Sequence, residues 1–161
     1  MASLETKLTK LNLAPMRGEQ FKPMNTPDVD LLESTIGMKL PEDYVSFLMK
    51  YGACCFELDC RFPTSGGGIY PGWFFDVDEI VAAMQCADDF LPKYVVPIND
   101  DGGGNNICIS ARTDSFGHIY FRNHGIGWDQ DAVDQDLAKM ETMFQVTTSF
   151  NDFLMALELE D

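Results

Sequence analysis

The sequence predicts an α+β fold in which helices flank a mainly antiparallel strand region at both ends, and three observations predict it. Two helix-start signals, each followed by apolar residues at helical spacing, occupy residues 26–52. Two apolar runs then meet at a glycine-rich turn across residues 95–110, in the manner of paired strands. A capped apolar stripe closes the chain at 149–157. Helices, then strands, then helices is the α+β order.

In chain order, Leu4, Leu8 and Leu11 mark a short amphipathic helix that docks on the body, docks on a partner, or frays. Ala14 to Asn25 reads as irregular linker, punctuated by Pro15, Gly18 and Pro23. Residues 1–25 are therefore expected to be an N-terminal extension and residues 26–161 a single domain. Thr26-Pro27-Asp28 supplies a capping hydroxyl, a first-turn proline and an acid; Val29, Leu32 and Ile36 form the apolar face, and Gly37 the stop. Leu40-Pro41-Glu42-Asp43 opens a second helix, with Tyr44, Phe47, Leu48 and Tyr51 on one face before Gly52. Residues 54–75 suggest one or two short strands with loops. Asp76 and Glu79 form a capping box for a helix over about 77–87, with Val77, Ile80, Val81 and Met84 inward. Beyond the glycines, Ile107 and Ile109 are placed to face Ile119 and Phe121 across a hairpin. The spacing of Val133, Leu137, Met140 and Phe144 predicts a helix over 129–144, and Ser149 caps a last one carrying Phe150, Phe153, Leu154 and Leu157.

Composition narrows the function. Apolar residues make up 45% of 161, enough for a packed core. There are 26 acidic residues against 11 basic ones, and 19 of those acids fall in residues 53–161. Such a field disfavours direct contact with nucleic acid or anionic membrane and favours a basic partner, or serves solubility alone. It also favours a monomer before binding. Five cysteines (54, 55, 60, 86, 108) make no even disulfide framework. No apolar run of signal-peptide or membrane-spanning length is present, so the expectation is reduced thiols in a cytoplasmic protein. Cys54-Cys55 reads as buried small hydrophobes rather than a redox pair.

Asn99-Asp100-Asp101-Gly102-Gly103-Gly104-Asn105-Asn106 reads first as a tight turn joining two strands. A phosphate cradle lacks its lysine, and a calcium loop lacks the EF-hand spacing and distal glutamate. A zinc site from Cys108, His118 and His124 lacks the usual ligand spacing. No GxSxG, HExxH or dinucleotide fingerprint occurs, so the chain is expected to be no enzyme and to carry no cofactor. Binding is favoured over chemistry. The candidate partner-binding residues are Trp73 and Trp128 as loop aromatics, Asp100 and Asp101 at the turn, and Asp129, Asp131, Asp134 and Asp136 on the acidic face of the predicted 129–144 helix. The competing assignments are core tryptophans and a solvated acidic face.

Four segments in order resemble the SUKH superfamily, which contains fungal cell-wall-synthesis regulators and bacterial toxin-immunity proteins. They are Leu32-Glu33 and Ile36-Gly37 with Leu40-Pro41-Glu42-Asp43-Tyr44, Phe47-Leu48 and Tyr51-Gly52; Asp100 to Asn105; Gly117 to Phe121 with Asn123-His124; and Ser149-Phe150 with Phe153-Leu154 and Leu157. The likeness spans about residues 29–157. It implies one bent sheet flanked by helices and a non-catalytic, protein-binding role, most often against the toxin domain of a polymorphic or contact-dependent inhibition system. The expected function is an immunity protein that neutralises a basic, nuclease-type toxin domain through its acidic surface. The alternative is a regulatory scaffold of the fungal type.

Overall fold

The structure, a computed structural model, describes residues 2–16, 18, 20–87, 91–126 and 136–161. Helix α1 (Leu4–Lys10) is capped by Ser3, whose hydroxyl accepts from the Thr6 amide. Leu8 and Leu11 are buried, and the helix docks on the body against the last helix, α5 (Phe150–Ala156). Asn12 then takes the left-handed conformation at φ +56° that commonly ends a helix. Its carbonyl accepts from the Glu57 amide, which turns the chain into strand β1 (Leu13–Pro15) alongside β2 (Cys54–Phe56). The first residues of the expected linker are thus a strand.

Helix α2 (Thr26–Ile36) is capped one residue earlier than expected, by Asn25, in a reciprocal box with Asp28. Asn25 and Thr26 are both capping residue types, and the side-chain geometry decides between them. Val29, Leu32 and Ile36 are buried, and Gly37 closes the helix in the left-handed region. Helix α3 (Glu42–Tyr51) starts at Pro41 without a side-chain cap. Asp43 instead accepts from the Tyr44 amide at 2.8 Å and from the Asn151 amide of α5 at 3.0 Å, joining the two helices. At Gly52, φ is +64° and a Cβ would lie 2.1 Å from the Lys22 carbonyl oxygen, so only glycine fits.

Residues 54–75 hold more strand than expected: β2, β3 (Cys60–Thr64), β4 (Gly67–Ile69) and β5 (Trp73–Phe74). Helix α4 (Val77–Ala87) opens on the anticipated box, with Asp76 Oδ1 accepting from the Glu79 amide and Glu79 from the Asp76 amide. Then come β6 (Val95–Pro97), β7 (Asn99–Asp100), β8 (Asn106–Ser110), β9 (Ile119–Arg122), β10 (Met143–Thr147) and, after α5, β11 (Glu158–Leu159). Every pairing is antiparallel, in the orders β1-β2-β5-β7, β10-β9-β8-β6 and β11-β3-β4. Residues 95–100 run from the second of these sheets into the first, and Ile98 between them bonds to both sides: its carbonyl accepts from Phe75, and its amide donates to Ile107. This passage is the bend of an α+β fold with helices at both ends. The hairpin register is as expected, Ile107 opposite Phe121 and Ile109 opposite Ile119.

The main core lies between the helices and these sheets. Phe150 is its centre, with ring centroids 5.1 Å from Tyr44, 5.0 Å from Phe47 and 6.0 Å from Phe74. A smaller cluster on the other face of the second sheet joins Leu91, Val95, Cys108, Tyr120, Leu137, Met140 and Met143. The helix expected over 129–144 is corrected in its described part. Residues Leu137–Lys139 form one 3-10 turn capped by Asp136, and 143–147 are strand β10 on β9. Leu137, Met140 and Met143 fill the smaller cluster while Phe144 points outward, 48% exposed. Tertiary pairing overrides a spacing that mimics a helical stripe.

Candidate functional site

The glycine-rich turn and strand β5 come together at the free end of the first sheet. Trp73 sits in β5 between Cys55 on β2 and Asp100 on β7. Directly opposed residues share a sheet face, and Phe74 takes the other face, into the core. Ala14, Cys55, Trp73 and Asp100 therefore form one half-buried row on the outward face. This corrects the loop placement of Trp73. It is a strand residue, packed at its base against the core and open at its outer side.

The turn is held by its own side chains. Asp100 Oδ1 accepts from the Gly102 amide at 2.7 Å. Asp101 Oδ1 accepts from the Gly103 and Asn105 amides at 2.8 and 3.1 Å, and its Oδ2 from Asn105 Nδ2 at 2.9 Å. Asn105 Oδ1 in turn accepts from the His124 amide at 3.1 Å, and the His124 ring lies 3.3 Å from where a Gly104 Cβ would be. Arg122 donates to Asn106 Oδ1 at 2.7 Å and to the Gly104 carbonyl at 3.3 Å. Asp100 Oδ1 and both Asp101 oxygens, which a calcium ion would recruit, and the Gly102 and Gly103 amides, which a phosphate would recruit, are thus engaged with one another in building the turn. Gly72 is required beside it: φ is +55°, and a Cβ would lie 2.0 Å from the Asp100 carbonyl oxygen. Gly102, Gly103 and Gly104 are exposed, so the turn presents backbone flanked by two carboxylates.

Of the other candidates, Asp136 belongs to a different neighbourhood. It caps the 3-10 turn by accepting from the Ala138 amide at 3.1 Å and leads into Leu137 of the smaller cluster. Trp128, Asp129, Asp131 and Asp134 lie outside the described residues. The structure brings together Trp73, Asp100 and Asp101 and keeps Asp136 apart. Sequence reasoning missed Asn99, whose fully buried amide donates to the Pro71 carbonyl and accepts from the Ile107 amide. Its place as the first polar residue directly after the apolar run Val95 to Ile98 was the available signal.

The cysteines are free, and three are buried. Cys54 and Cys55 are strand neighbours, so their thiols point to opposite faces. Burial, with Cys55 beside it, pushes the Cys54 thiol up; burial and then Asp59 raise Cys60 to about 11; burial raises Cys108 to about 12. Protonated thiols are poor nucleophiles. His118 is engaged with Gln145 at 3.4 Å and His124 with Asn105, and burial and Arg122, not a histidine, set the Cys108 thiol. Among the described residues, no group of three His, Cys, Asp or Glu side chains is placed to hold a metal.

The raised thiols have a pH consequence. A folded pKa above the unfolded one gives stability that is complete below the unfolded value and is lost as pH rises towards the folded one. Stability should therefore fall from about pH 9 upwards as unfolded chains ionise. Urea unfolding at pH 8 and pH 10 checks this: Cys108→Ala should lose less between the two pH values than the parent, and an equal loss would refute the assignment.

The fold and its turn have identifiable relatives. The SMI1/KNR4 family (SUKH-1) pattern matches residues 23–156. An SPβ prophage-derived uncharacterized protein of Bacillus subtilis (strain 168), YokK, is 28% identical over 148 residues, covering 78% of this chain and 70% of its own. The matched segment runs from three residues before α2 to the end of α5 and contains the Asn25–Asp28 and Asp76–Glu79 boxes, the Ser149 cap, the bend and the glycine-rich turn. The chain belongs to the SMI1/KNR4 (SUKH-1) family, which includes toxin-immunity proteins.

Proposed function

We propose that this protein is an immunity protein that binds and neutralises a cognate toxin domain in the cytoplasm, without catalysis or cofactor. The observation that carries the reading is the charge borne on this fold: 26 acids against 11 bases, 19 of the acids in residues 53–161. A toxin that cuts nucleic acid carries a basic cleft, which an acidic protein can occupy or shield. Trp73 beside Asp100 and Asp101 supplies the pattern of a binding centre, an aromatic anchor with charges at its rim. Asp136, Trp128, Asp129, Asp131 and Asp134 are proposed as further acidic and aromatic contacts. The prophage origin of the YokK relative agrees with a role in competition between mobile elements. No helix among the described residues is long and apolar enough to cross a membrane.

The test is co-expression with the product of the adjacent gene, followed by association kinetics with the purified pair. Rescue of growth and a single basic partner are expected. Association should slow about tenfold or more between 50 and 300 mM salt, because steering between opposite charges is screened within about one Debye length. Rescue without salt dependence would retain immunity and remove the acidic-face mechanism. Recovery of several housekeeping proteins and no rescue would point to the regulatory scaffold.

A further inference from the structure

A second surface, on the side of the molecule built by α2, α3 and the β8–β9 loop, combines a groove, an exposed aromatic and carboxylates. The groove has a volume of about 750 Å³ and is lined by Glu33, Lys39, Leu40, Glu42, Val45 and Phe116, among others. It continues into a cavity of about 450 Å³ that shares Glu33 and Lys39 and adds Asp30 and Met38. Leu40, Val45, Met38 and Phe116 make its apolar floor and wall. Asp30, Glu33 and Glu42 line it together with Lys39, the one cation among the described lining residues.

Phe116 is 48% exposed, yet the loop that carries it is held firmly. Ser115 is buried and its hydroxyl bonds Ser110 Oγ at 2.7 Å; the Gly117 amide donates to the Ser110 carbonyl at 2.9 Å; Arg112 and Asp114 form an ion pair at 3.2 Å. Gly117, at φ +83°, rests the loop against Pro41 at the start of α3. A rigidly presented aromatic loses little freedom when it is covered, which favours its use as an anchor. The opposite wall is equally fixed. Glu33, only 12% exposed, accepts from the Leu40 amide at 3.0 Å and from Lys39 Nζ at 2.6 Å, while the Lys39 side chain is 82% exposed.

We infer that this groove docks a basic segment of the toxin domain, in which one large apolar side chain covers Phe116 and Val45 while flanking arginine or lysine side chains pair with Glu42 and Asp30. Charge complementarity selects that occupant. A second copy of this chain, at net −15, would bring carboxylates against carboxylates. The inference rests on the immunity reading but adds a contact region built from elements other than the β5 and β7 that carry Trp73 and Asp100.

Titration calorimetry of the toxin domain encoded beside this gene tests it, using the full chain, Phe116→Ala, Glu42→Lys and the control Phe144→Ala, another exposed aromatic. Thermal unfolding of each variant verifies the fold. Phe116→Ala and Glu42→Lys should each weaken binding tenfold or more, and Phe144→Ala less than twofold. Parent-like affinity in both groove variants overturns the groove and leaves the immunity reading standing. Absence of a neighbouring toxin, or of binding by the parent, overturns both. Sedimentation that shows a dimer dissociated by Phe116→Ala would assign the groove to a second copy and overturn the toxin assignment.

Discussion

Phe150→Ala should destabilise the protein by about 3–5 kcal/mol, the range for emptying a large buried aromatic site. Phe150 is fully buried at the first turn of α5, and its ring makes edge contacts with Tyr44 and Phe47 of α3 and Phe74 of β5. Those partners come from two separate elements, α3 and β5, so no single element can move in to refill the space. Part of the loss is burial, and part is the edge-to-face geometry, worth about 0.5–1.5 kcal/mol for a pair. Domains of this size have roughly 5–15 kcal/mol in total, so the variant should remain folded at low temperature with a clearly lower urea midpoint. A loss below about 1 kcal/mol would mean that the cluster collapses around the void and is less rigid than its packing indicates. Because Phe74 adjoins Trp73, the variant should also loosen the outward face that carries Asp100.

The parts of this fold that were legible in sequence are those governed by neighbours in the chain. The Asp76–Glu79 box, the Ser149 cap and the glycine stops at 37 and 52 rest on contacts within a few residues, and they stand where the residue types place them. The Ile107–Phe121 register was legible because alternation and turn length fix it together. Strands β1 and β5 were not, since segments of three and two residues carry no measurable period. Leu137, Met140 and Phe144 show how spacing misleads: a 3-10 turn followed by a strand puts Leu137 and Met140 into one cluster, and Met143 replaces Phe144. Within the candidate site, Asp100 and Asp101 were visible by turn chemistry, whereas the pairing of Asp100 with Trp73 depends on Gly72 letting two backbones approach. The Phe116 groove had no local signature at all. Its walls come from α2–α3 and from a loop some seventy residues later in the chain, which only the folded arrangement brings together.

Asn99→Leu is expected to cost about 2–4 kcal/mol although the two side chains have similar volume. Asn99 stands where the chain leaves β6 of one sheet and enters β7 of another, with no exposed surface. Its side-chain amide donates to the Pro71 carbonyl ahead of β5 and accepts from the Ile107 amide of β8, so one residue ties both sheets to the bend. Leucine would fill the space and leave that carbonyl and that amide facing an apolar group. Each buried polar group stranded in this way costs about 1–3 kcal/mol. Asn99→Asp separates the polar effect from packing, because an ionised carboxylate can accept from Ile107 but has no proton to give Pro71. Burial should raise that carboxyl above the ordinary aspartate value near 4, so the protonated form, which can donate, is favoured in the folded state. The stability of Asn99→Asp, relative to the parent at the same pH, should therefore be greatest at low pH and fall as pH rises from about 4 to 7. Urea unfolding of both variants at pH 4 and pH 7 measures this, and a pH-independent difference for Asn99→Asp would show that the site admits water. Since β7 places Asp100 beside Trp73, a loosened bend should weaken the proposed toxin binding with every proposed contact residue intact. On this account the outward face depends on a buried amide that has no exposed surface of its own.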